Sequence, residues 1–146
     1  MEVNYEKPEE FLLSAPLQSK KGNAFANTIL YAELCQQLEI QAQFINIPKQ
    51  CIIAFYASDW DPNEIMTHPQ ECIQFYVEGT TGGAFSQKDL DQYMVRANIE
   101  PKNNYYKALS NVKIIKKHLQ EFAKCFNSPT LEYKQKDLLD LANLLD

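Results

Sequence analysis

GNAFANTILYAELCQQL, residues 22–38, is the stretch on which the fold of this chain turns. Gly22 and Asn23 open it, and an asparagine oxygen at a helix start can accept from an orphan backbone N–H. Phe25, Ile29 and Ala32 then fall on one stripe, with Ala26, Leu30, Leu34 and Leu38 on an adjoining one. A helix apolar over so wide an arc is expected at the centre of a core.

Beyond that helix the period changes. Ile40, Ala42 and Phe44 alternate with Gln41 and Gln43, which predicts a strand over 40–47 that Pro48 ends. Residues 51–57 and 73–78 are β-rich runs. DWDPNEIMTHPQE, residues 59–71, is polar, holds two prolines, and predicts a loop between them. The simplest topology is an antiparallel hairpin with a long connection, a longer crossover being the alternative. Gly79 and the pair Gly82-Gly83 mark a turn after the second run.

Helices follow. Ser86 with Asp89 is close to a capping box and opens a helix reaching about Arg96. Ser110 caps another, with Val112, Ile115, Leu119, Phe122 and Phe126 as its apolar stripe, and Ser128-Pro129 breaks the chain before a last helix carrying Leu138, Leu141 and Leu145. One helix, a small antiparallel sheet and then helices is an α+β order. Residues 1–19, with Pro8 and Pro16, form an N-terminal arm, either a short helix around Glu9–Ser14 or a loose segment. Residues 20–100 then form the core and 101–146 a helical extension packed on it.

A chain of 146 residues is one domain by size. Its hydrophobic share of 45% and charged share of 23% are ordinary for a globular protein. The formal net charge is -5, and Arg96 is the single arginine, which argues against a nucleic-acid partner. Lys20-Lys21 and Lys113, Lys116 and Lys117 read as solvated faces. Phe11-Leu12-Leu13 is too short for a signal h-region, and no apolar run nears the ~20 residues of a membrane helix, so a cytoplasmic protein is expected. Cys35, Cys51, Cys72 and Cys125 show no CxxC spacing and read as buried free thiols. His68 with Cys72 and His118 with Cys125 are too loose a set for zinc, so neither metal nor cofactor is expected.

QSKKGNAFANTILYAELCQQLEIQAQFINIPKQCIIAFY (18–56), FYVEGTTGGAFS (75–86) and NYYKALSNVKIIKKHLQEFAKCF (104–126) together resemble the transglutaminase-like superfamily, and within it the SirB family of bacterial proteins. The resemblance implies a papain-like fold, in which a cysteine in the first turn of the core helix is activated by a histidine that a carboxylate orients. A helix N-terminus favours thiolate, and an adjacent imidazole favours it further. Carried over residue by residue, the nucleophile position is Ala24, the histidine position Gln50 and the carboxylate position Glu78.

A methyl group cannot attack, and an amide is no general base near neutral pH. The chain is therefore expected to be a non-catalytic module that binds a protein or peptide, with Gln50 donating to Glu78 as a remnant of the old pair. Asn23, Cys51, Trp60, Gly82 and Gly83 are the residues expected to contribute to binding. Cys51, next to Gln50 on a strand, should face the core. Trp60 is either a contact residue or a cover for the sheet. The competing expectation is a hydrolase or amide transferase with an atypical site that uses Glu78 as base. His118, among lysines, reads as solvated. Asp59, Asp61 and Asn63 open like a calcium loop, but Glu64 and Gln70 stand where such a loop needs Gly and Glu. Tyr105-Tyr106 reads as packing between the helical tail and the sheet.

Overall fold

The computed structural model describes residues 3–59 and 61–146. After a short 3-10 turn at Pro8–Phe11, the elements are α1 (Ala15–Ser19), α2 (Ala24–Gln37), β1 (Ala42–Ile45), β2 (Ile52–Tyr56), α3 (Pro62–Thr67), α4 (Pro69–Cys72), β3 (Ile73–Glu78), β4 (Ala84–Phe85), α5 (Gln87–Arg96), α6 (Asn111–Ala123) and α7 (Glu132–Asn143). A second 3-10 turn, Asn103–Tyr106, joins α5 to α6. The four strands lie in sequence order and every neighbouring pair is antiparallel. This is an α+β fold, and the expected hairpin between the second and third strands is present.

Local chemistry sets the helix starts. Asn23 accepts from the N–H of Ala26 at 2.9 Å and so caps α2. Ser86 and Asp89 complete a reciprocal capping box on α5, and Ser110 caps α6. The stretch expected as a polar loop holds α3 and α4 instead. Asp61 caps α3 by accepting from Asn63 N–H, so the aspartate spacing that resembled a calcium loop serves a helix end. Each of these two short helices begins at a proline, a residue preset for the first helical turn. Trp60 lies outside the described residues.

The sheet is covered on both faces. Ile52, Ala54, Tyr56 and Tyr76 point to one face and pack with Leu90 and Met94 of α5 and with Tyr106. Phe44, Cys51 and Ile53 point to the other. There Phe44 and Cys51 pack with Ala24, Phe25 and Ile114, and Ile53 packs with Cys35. Each fully buried Ile or Phe contributes roughly 1.5–3 kcal/mol to this arrangement.

Several apolar positions differ from the periodic reading. Leu34 and Leu38 of α2 are exposed, and so are Val112 and Ile115 of α6. The C-terminal half of α2 sets Cys35 and Ala32 against Ala42 and Ile53 of the sheet, which leaves Leu34 and Leu38 uncovered. His118, expected in solvent, is buried beside Phe11, Phe25 and Phe122. The N-terminal segment makes the difference, because Phe11 is fully buried and stacks on Phe122 at 5.3 Å. Among the described residues, no helix is long and apolar enough to cross a membrane.

Candidate functional site

The N-terminus of α2 meets the sheet where β2 begins and β3 ends. Ala24 occupies the first helical position and is buried. The N–H of Gly79 donates to the carbonyl of Cys51 at 3.2 Å, and Ile52 stands opposite Glu78 in the ladder. The three segments that carry Ala24, Gln50 and Glu78 therefore converge on one end of the sheet.

Side-chain direction then separates them. Glu78 pairs with Ile52, and directly opposed residues share a face. That is the face of Tyr76 and α5, whereas α2 lies on the other. The residue of the β2 segment that packs with Ala24 is Cys51. Gln50 precedes the strand, where its backbone N–H closes a tight turn onto Ile47. The expected hydrogen bond from Gln50 to Glu78 is not formed. The Glu78 carboxylate accepts from the N–H of Thr80 at 3.1 Å, the N–H of Thr81 at 3.0 Å and the Thr81 hydroxyl at 2.7 Å. These donors outweigh the cost of its partial burial and hold it below the usual carboxylate range.

Cys51 is the thiol nearest the α2 N-terminus. Burial pushes it up to about 12, against the opposing pull of Lys117 and a hydrogen bond with Thr28. Glu121 and Glu78 push in the same direction as burial. A thiol held protonated in this way offers little thiolate near neutral pH. Burial also lowers the His118 imidazole, and a hydrogen bond with the Phe11 backbone only partly opposes this. His118 lies beyond the Phe25 ring, at 6.3 Å between centroids, and its Nδ1 has no hydrogen-bond partner.

Beside Cys51 opens a cleft of about 720 Å³. Phe25, Tyr93 and Val3 form apolar wall, and Gln50, Lys49 and Lys117 line it as well. The Tyr93 hydroxyl donates to the carbonyl of Pro48 at 3.0 Å, which ties the turn carrying Lys49 and Gln50 to α5. Lys117 was expected on a solvated face. It is half-buried instead, its Nζ donates to Asn46 Oδ1 at 2.7 Å, and it lies 5.6 Å from the centre of the Phe25 ring. Desolvation lowers its pKa. Glu121, one turn further along α6, accepts from the Tyr5 hydroxyl and pairs with Lys124 at 2.7 Å.

Of the residues expected to bind, Cys51 lines this cleft. Asn23 is buried and spends its oxygen on the helix cap. Gly82 and Gly83 are exposed in the β3–β4 turn, where Gly82 takes a left-handed φ of 72°. Lys117, Glu121 and Lys124 were missed as a group. Their spacing along α6 and into the 3-10 turn that follows it was the available signal, and it points nowhere until α6 has been placed against the sheet. A second cavity of about 860 Å³ between α2, β1 and the start of α6 is mostly apolar and includes none of the expected site residues.

Among the described residues, no three His, Cys, Asp or Glu side chains gather as metal ligands. No match was found among curated proteins or among solved structures. A family model described as the transglutaminase-like superfamily matches residues 1–120. With a helix N-terminus set against an antiparallel sheet in the papain-like manner and the match spanning most of its length, the chain belongs to the transglutaminase-like superfamily.

Proposed function

We infer that this chain is a non-catalytic member of that superfamily, of the SirB type, which binds a protein or peptide segment in the cleft beside Cys51. The observation that carries the reading is the chemistry at the α2 N-terminus. Ala24 offers a methyl group where the family pattern implies a nucleophile, and the neighbouring thiol of Cys51 is pushed up to about 12 by burial. Gln50 has no basic nitrogen, and the Glu78 carboxylate is occupied by Thr80 and Thr81. Loss of nucleophile and base removes nearly all acyl-transfer rate, since the remaining donors supply little alone. The cleft itself persists, with apolar walls and a rim of lysines, and such a concave surface can hold a ligand without transforming it. The expected setting is the cytoplasm.

Panning a peptide library on the wild-type protein and on Gln50→Trp tests this reading. Peptides that bind wild type and lose binding to Gln50→Trp support it. Peptides that bind both proteins equally count against the cleft. Deamidation, isopeptide cleavage or transamidation by the wild type, abolished in Glu78→Gln, would replace it with an atypical enzyme.

A further inference from the structure

We propose that the cleft beside Cys51 takes a carboxylate borne on an apolar body, with Lys117 and Lys49 as its ionic partners. The proposal rests on the reading of this cleft as a binding site and names the chemistry of what it holds.

Charge distribution is the first support. The chain has a net charge of -5, yet the cleft is lined by Lys49, Lys117 and Lys124 against the single carboxylate of Glu121. That carboxylate is already used, by the Tyr5 hydroxyl and by Lys124. Among the described residues, neither Lys117 nor Lys49 forms an ion pair.

Desolvation is the second. A lysine in bulk water needs no counter-ion, but a partly buried ammonium is costly unless a partner compensates it. At close range Lys117 has the neutral oxygen of Asn46 and the face of Phe25, both weaker partners than an anion, while Glu121 acts on it only from beyond ion-pair distance. An incoming carboxylate would supply the missing charge from the cleft side.

The walls and the residue type narrow the class. Phe25, Tyr93, Val3 and Ala97 offer apolar surface next to the lysines, so the anion should carry an apolar or aromatic group. The single arginine, Arg96, does not line the cleft. The guanidinium fork, which grips carboxylate and phosphate alike, is therefore missing; of the two unpaired ammonium groups only Lys117 is partly buried, and one such charge matches a singly charged carboxylate. A peptide C-terminus with an apolar last residue has this chemistry.

Titration of the 15N-labelled full chain with N-acetylphenylalanine, followed by NMR, tests the assignment. The amide signals of Gln50, Cys51, Ala97 and Lys117 should shift together and saturate in the millimolar range. N-acetylphenylalanine amide, which lacks the charge, should bind about tenfold more weakly, as should Lys117→Met toward the acid. Lys49→Gln gives a second reading should Lys117→Met disturb folding, and weaker binding of the acid to it supports the assignment. Equal binding of acid and amide, or shifts confined to residues outside the cleft, overturns it. Tighter binding of phenyl phosphate at the same residues overturns the choice of carboxylate. Library peptides that still require Gln50 while the acid leaves the cleft unmoved would remove the carboxylate and keep the binding module. Failure of both experiments removes both.

Discussion

Gly79 lies so close to Thr28 that a Cβ built on it would fall 1.8 Å from Thr28 Oγ1 and 2.9 Å from its Cα. This contact locks the end of β3 against the first turns of α2, next to Ala24, whose carbonyl accepts from the Thr28 hydroxyl at 2.6 Å. Gly79→Ala is expected to cost about 2–3 kcal/mol by overpacking, measured by urea denaturation. Adding Thr28→Ala should rescue only part of the loss, because Thr28 Cβ, at 2.6 Å, stays in the way.

Cys51 makes stability fall in alkali. Its ordinary value is 9.0 and burial pushes it up to about 12. The unfolded chain therefore releases this proton first, and stability present below 9.0 is lost as pH rises toward about 12. The contribution of one such group falls by up to about 1.4 kcal/mol per pH unit inside that window. Melting curves of wild type and Cys51→Ala should converge as pH climbs above 9.0. A constant gap would contradict the burial of this thiol.

His118 acts on the acid side. Burial lowers its pKa below 6.5, so the unfolded chain takes up the proton before the folded one. Stability held above pH 6.5 should drain away as pH falls below it. His118→Leu, set among Phe11, Phe25 and Phe122, should flatten that acid limb in chemical denaturation at a series of pH values. A variant that tracks wild type down the whole limb would place the imidazole in water.

Asn23→Ala removes the cap of α2 and leaves the N–H of Ala26 without its acceptor. The expected loss is about 1 kcal/mol, seen as a lower denaturation midpoint. Asn23→Asp should retain the cap, since a carboxylate oxygen at a helix N-terminus also accepts and suits the dipole.

Installing the residues that the family resemblance implies should not produce chemistry. In Ala24→Cys with Gln50→His, the new groups stand on a scaffold whose Glu78 faces away from α2 and is held by its own turn. Ammonia release from glutamine peptides is expected to stay at the level of the uncatalysed control. Turnover by this double variant would mean that two substitutions are enough to assemble a working site.

Much of the architecture was legible in short-range chemistry. Asn23, Ser86 with Asp89, and Ser110 mark helix starts because a cap is an interaction between near neighbours in sequence. The alternation over Ala42–Ile45 and the β-rich runs after it were enough for an antiparallel sheet, and the order of motifs was enough for the superfamily. α3 and α4 were hidden because the prolines that start them look, one at a time, like loop residues.

The composition of the site was a tertiary decision. One residue of register sends a strand side chain to the opposite face, and here register puts Cys51 against α2 and Glu78 away from it. The turn before β2 depends on Lys49 at a φ of 61°, a left-handed position with no glycine to announce it. His118 and Lys117 look like surface residues until Phe11 and the sheet cover them. Capping and periodicity act between neighbours and can be read along the chain, whereas desolvation depends on what arrives from elsewhere in space.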